Sequence, residues 1–170
     1  GASYGDAVVD CPAGLGADAA LPLYAADACL PVTTPDRTAV TDALRTRELA
    51  RTFDAGVVRA VVNRVRGEPS LSAVKDAFGA PAVAVPECRD LAAAWENGQP
   101  VTTRAPGSAA AERVATLATA VVTSFGSNSQ TKRRFSHLRA VPSVSIDSLA
   151  LIGIPSPLRL SLLVLEGFRR

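Results

Sequence analysis

The sequence predicts an α/β fold, a parallel β-sheet with helices on both faces. Three observations carry this. Short apolar runs recur at residues 7–11, 28–33, 57–62 and 82–85, the pattern of strands covered on both sides. Between them lie stretches whose apolar residues return at helical spacing, most clearly 38–53. Glycine or proline punctuates the junctions at Pro35, Gly56, Gly79 and Gly98.

Each element has its own reason. The first strand, 7–11, is followed by residues 18–25, where Ala and Leu recur and Pro22 keeps the helix short. The second strand, 28–33, contains Pro31, which removes a ladder N–H and belongs on an edge or at a bulge, so the expectation is a frayed strand or a sequence error at Pro31. Helix 38–53 buries a stripe of Ala39, Val40, Ala43, Leu44, Leu49 and Ala50, with Asp36 or Thr38 as its cap. The third strand spans 57–62. Helix 70–78 starts at Ser70 and stops at Gly79, a residue suited to a left-handed C-cap. The fourth strand is 82–85, and helices at 89–97 and 108–122 complete the body, the last capped by Ser108. Right-handed crossovers would set all four strand ends on one side, carrying Asp10, Thr34, Asn63 and Pro86.

The totals exclude some classes. With 170 residues, 48% hydrophobic and 20% charged, the chain has an ordinary globular composition and is long enough to bury a core. Its net charge of +2 divides unevenly, the body to Val122 being acidic and the remainder basic. No run of basic residues with interleaved aromatics points to a specific nucleic acid. Cys11, Cys29 and Cys88 lack the paired spacing of a zinc site and read as small hydrophobes in a reduced, cytoplasmic chain. The first residues have no basic and apolar regions of a signal peptide, and the sequence contains no Met, the expectation being a fragment or a processed product.

The chain is organised around Val8-Val9-Asp10-Cys11-Pro12-Ala13-Gly14-Leu15-Gly16. A carboxylate at the end of a buried strand can hold magnesium through water, because a hard cation takes oxygen ligands. Gly14 and Gly16 let the following turn bring its amides toward a phosphate. The alternative for Asp10 is a carboxylate capping the next helix. Asn63 and Arg64 end another strand, where an amide could read adenine as donor and acceptor together or simply form a turn. Pro86 and Glu87 end a third, Glu87 being equally readable as a solvated loop charge. His137 has no partners for nucleophilic catalysis.

These segments together resemble the MinD/ParA family of deviant Walker P-loop ATPases. Asp10-Cys11-Pro12-Ala13-Gly14 resembles its Walker B strand and switch loop, and Val32-Thr33-Thr34-Pro35-Asp36 with Asp42 its next strand and helix. Val61-Val62-Asn63-Arg64, Val83-Ala84-Val85-Pro86-Glu87, Gly98-Gln99-Pro100-Val101 and Pro106-Gly107-Ser108 follow in family order, across about Tyr4 to Val122. The resemblance implies a partial P-loop NTPase, or Rossmann-like three-layer, fold. It implies ATP and Mg2+ as cofactors, Asp10 reaching the metal through water. Pro12, Ala13 and Gly14 would sense the terminal phosphate, and Asn63, Arg64, Pro86 and Glu87 would hold the nucleoside. Thr34, Pro35, Asp36 and Asp42 would lie near a homodimer interface, with a strand end and a helix cap as the plain alternative. The role implied is a nucleotide-switched dimer in division-site placement or in chromosome, plasmid or cargo partitioning, with a regulatory partner protein.

One family part is missing. No Gly-rich loop with Gly-Lys-Ser/Thr occurs in the 170 residues, so no efficient hydrolysis is expected of this chain alone. The expectation is a C-terminal portion of such an ATPase at residues 1–122, with a non-catalytic binding partner of the same fold, or a nonfunctional gene fragment, as alternatives. Unpaired strand edges would make it prone to aggregate. Residues 123–170 read as a Ser/Asn/Gly linker, a basic Lys132-Arg133-Arg134 and an irregular Ser/Leu/Arg-rich tail. Peripheral membrane attachment through that tail is the competing reading. It is opposed by the nearly continuous run of Leu160, Leu162, Leu163, Val164 and Leu165, which leaves no polar helix face.

Overall fold

The computed structural model describes residues 6–12, 15–127 and 162–167. Strands and helices alternate: β1 (Asp6–Cys11), α1 (Ala17–Ala25), β2 (Ala28–Thr33), α2 (Arg37–Thr52), β3 (Gly56–Val57), β4 (Ala60–Val65), α3 (Leu71–Phe78), β5 (Ala82–Pro86), α4 (Arg89–Glu96), α5 (Val101–Arg104), α6 (Ala109–Ser127) and β6 (Leu162–Gly167).

The sheet order is β1-β6-β2-β4-β5, with the short β3 beside β2. β2 pairs parallel with β3 and β4, and β4 parallel with β5. The four strands expected from the sequence run one way. β6 is the departure: it lies antiparallel between β1 and β2, so the sheet is mixed rather than purely parallel. It comes from the stretch read as an irregular tail. A continuous apolar run gives no amphipathic helical face, and by pattern alone it is as compatible with a strand as with a tail.

Side-chain alternation divides the core between the two faces. On one face Leu30, Val32, Val61, Val83 and Val85 meet Leu117 and Val121 of α6, with Leu91 of α4. On the other, Cys11 and Cys29 pack with Leu23 of α1 and Ala50 of α2, and Ala60 packs with Phe78 of α3 and Ala43 of α2. Ala94, Val101, Ala110 and Ala111 tie α4, α5 and α6 together.

Several boundaries move for physical reasons. Pro31 does not fray β2: it is fully buried, at the end of the β6 pairing and just before the β4 pairing begins at Val32, where a missing N–H costs least. The strand read at 57–62 is two pieces, β3 and β4, interrupted at Val58 and Arg59, and β4 continues past Asn63 to Val65. α2 is capped by Asp36, whose Oδ1 accepts from the N–H groups of Thr38 at 2.9 Å and Ala39 at 3.1 Å. Ser70 stands at the N-cap of α3 without a capping bond, whereas Gly79 closes that helix at φ 65°, its N–H donating to Lys75. α6 runs on to Ser127, through residues read as linker, and Ser108 Oγ accepts from the N–H of Ala111.

Candidate functional site

The carboxyl ends of β1, β2, β4 and β5 lie along one edge of the sheet, the side where open α/β folds bind ligands. Asp10 is solvent-exposed near the end of β1, and Pro12 is exposed just beyond it. Ala13 and Gly14 lie outside the described residues. The N-cap position of α1 is Gly16, and Asp18 in its first turn accepts from the N–H of Ala19.

Two strands away from β6, the β4–β5 ladder is irregular at the same edge. Val62 pairs with Ala84 but Val65 pairs with Pro86, so β4 carries one extra residue. Asn63 and Arg64 form that bulge, with Arg64 at φ 57°. Bulges re-aim side chains and concentrate near functional sites. Asn63 Oδ1 accepts the Arg64 N–H at 2.9 Å, which fixes the amide while its NH2 and a second oxygen lone pair remain for a ligand. The N–H of Glu87 donates to the Val65 carbonyl, joining the ends of the two strands. Arg66 pairs with Glu87, and its hydrogen bond and positive charge hold the Glu87 carboxyl below the ordinary carboxylate range.

The structure therefore brings Asn63, Arg64, Pro86 and Glu87 together. Asp10 shares their edge but stands three strand spacings from β4, about 14 Å at the usual spacing between strands. Thr34, Pro35 and Asp36 lie between these two groups, at the turn from β2 into α2. Asp36 is occupied as the α2 cap, and Asp42 binds Arg45 on its own helix at 3.0 Å. Asp36 thus fills the helix-cap role, Asp42 is neither strand end nor cap but an intrahelical ion-pair partner, and the dimer reading is left to be argued separately. Arg66 is the residue of this group that sequence reasoning misses. Its only signal there is a cation two residues beyond Arg64, and its partner is 21 residues away.

No group of three or more His, Cys, Asp or Glu that could hold a metal ion occurs among the described residues. An exposed Asp10 fits a magnesium ion that keeps most of its water and takes its other oxygens from phosphates. Burial pushes the Cys11 thiol up to about 11, with Asp10 and Asp18 adding to it, and the Cys29 thiol up to about 12, which disfavours the thiolate at both. No helix among the described residues is long and apolar enough to cross a membrane.

No protein-family profile matches the chain. An uncharacterized ATP-binding protein of Methanocaldococcus jannaschii is 27% identical over 119 residues, covering 68% of this chain and 45% of that protein. A putative septum site-determining protein MinD of Nephroselmis olivacea is 35% identical over 102 residues, 55% of this chain and 37% of that protein. The chain thus spans less than half the length of these curated relatives. Among solved structures, the cell division ATPase MinD of Pyrococcus furiosus shares the fold at a TM-score of 0.60 and 24% identity, over 66% of this chain and 49% of that one. By sequence the chain is similar to a putative MinD and to an ATP-binding protein, and by fold to a MinD ATPase.

Proposed function

We propose that this chain supplies the nucleoside and switch side of an ATP-Mg2+ site in a MinD-like ATPase. The observation that carries the reading is the convergence of Asp10, the Asn63–Arg64 bulge and Pro86–Glu87 on one sheet edge. Asn63 and Arg64, with the backbone of Pro86 and Glu87, hold the base. Asp10 stands a nucleotide's length away, where its carboxylate orients water on magnesium, and Pro12, Ala13 and Gly14 respond to the terminal phosphate. When bound, the metal neutralises phosphate charge, and the chain's own part is to position and to sense. A phosphate-cradling Gly-Lys-Ser/Thr loop is absent from this sequence, so the reading is of binding without efficient turnover by these residues alone.

In the whole protein, nucleotide would switch a homodimer through Thr34, Pro35, Asp36 and Asp42, for division-site placement or for partitioning of chromosomes, plasmids or other cargo.

Calorimetric titration of the chain with ATP and Mg2+ tests the site. Asn63→Ala should weaken binding about tenfold, the loss of one or two hydrogen bonds. Asp10→Ala should remove its dependence on Mg2+. Equal affinities in all three proteins would sink the reading.

A further inference from the structure

A groove of about 580 Å³ lies well away from the candidate nucleotide edge, between the start of β4 and the outer side of α6. It is lined by Arg59, Ala115, Thr116, Thr119, Ala120, Thr123 and Ser124. Arg59 is half-buried. Its Nε is enclosed and has no hydrogen-bond partner, and its guanidinium makes no ion pair among the described residues. A buried donor left unbonded is costly, so it points to a missing acceptor.

The groove wall says what kind of ligand brings that acceptor. Every hydroxyl on it already donates to its own helix: Thr116 to Glu112, Thr119 to Ala115, Thr123 to Thr119 and Ser124 to Ala120. A free phosphate or carboxylate would therefore meet one cation and no other donor. A packed surface of small residues with a single carboxylate fits better. Small side chains let two helices approach closely, to about 8 Å between axes.

We propose that the occupant is α6 of a second copy of this chain. Residues 112, 115, 116, 119 and 123 share one helical face, so exposed Glu112 sits in line with the groove-lining residues. Glu112 forms no ion pair among the described residues. Two α6 helices crossing antiparallel near Thr119 set Glu112 of one copy, about two turns before the crossing, against the turn about two turns after it in the other. That turn adjoins Thr123 and Ser124, which line the groove with Arg59. The contact is self-complementary under a two-fold axis, with two reciprocal Glu112–Arg59 pairs flanking a small-residue centre. It is distinct from the nucleotide-edge dimer, because Arg59 precedes β4 at the opposite end of the sheet.

Sedimentation velocity of the 170-residue chain across a concentration series, without nucleotide, tests this. The chain should dimerise reversibly. Arg59→Glu and Glu112→Arg should each raise the dissociation constant about tenfold or more, since attraction becomes repulsion at both pairs. An equimolar mixture of the two variants should associate again. In the mixed dimer one pair is native and the other has its two charges exchanged, so both are attractive. Thr119→Arg, which sets like charges at the two-fold axis, should abolish association, and circular dichroism should report native helix content in every variant. A chain that stays monomeric, charge reversals without effect, or two folded variants that do not recover on mixing would each overturn the proposal. A monomer would mean that the groove is closed within its own chain or by a different protein.

Discussion

Glu87 and Arg66 form the best-defined charged contact beside the candidate site, and neither is buried. The Glu87 carboxyl is held low in the folded state. Its contribution to stability is therefore present above the unfolded carboxylate pKa and is lost as pH falls through the folded one. Exposure keeps that contribution small, but the shift is readable site by site. An NMR titration should find Glu87 below the ordinary carboxylate range, and Arg66→Ala should return it upward; an unchanged midpoint would remove the pair. Asn63 was legible as a candidate because it follows a buried apolar run. The bulge that holds it was not, because it exists only in the register between β4 and β5.

At the scale of elements, α2 is the most strongly specified. Asp36 satisfies two orphan N–H groups at its start, while Ala43, Thr46 and Ala50 bury its inner stripe. Asp36→Ala should cost about 1 kcal/mol of unfolding free energy in denaturant melts. A change near zero would show that neighbouring packing, rather than the cap, sets the helix start. Asp36 also illustrates why site reading from sequence is limited. The same carboxylate suits a cap and an interface, and geometry alone reveals that the first role is filled. Cysteines in apolar runs were readable as core, and Cys11 and Cys29 are buried. α1 is less self-sufficient: it carries Pro22 inside and leaves Leu21 and Tyr24 exposed, with Tyr24 edge-on to Phe53.

For the whole molecule, the placement of β6 matters most. Among the described residues β1 pairs with no other strand, so β6 links β1 to the rest of the sheet. A chain ending at Ser127 should therefore lose hydrogen-exchange protection at the Val8 and Val9 amides, while the β4–β5 ladder keeps its own. Equal protection at Val8 and Val9 in the shortened chain would show that β1 is held by α1 and the core instead. Long-range partners of this kind cannot be read from local pattern, because any apolar strand satisfies the slot equally well.

The sequence by itself determined the four parallel strands and most of the helices between them, though not where β4 begins and ends. Those follow from short-range rules: side-chain period, helix caps and the backbone preferences of Gly and Pro. Only the tertiary structure decided that Leu162–Gly167 enters the sheet between β1 and β2, that Asn63 and Arg64 sit on a bulge, and that Arg59 faces α6 with its Nε unbonded. Each of these depends on which distant residues share a ladder or a groove, a choice fixed by the mutual packing of the elements.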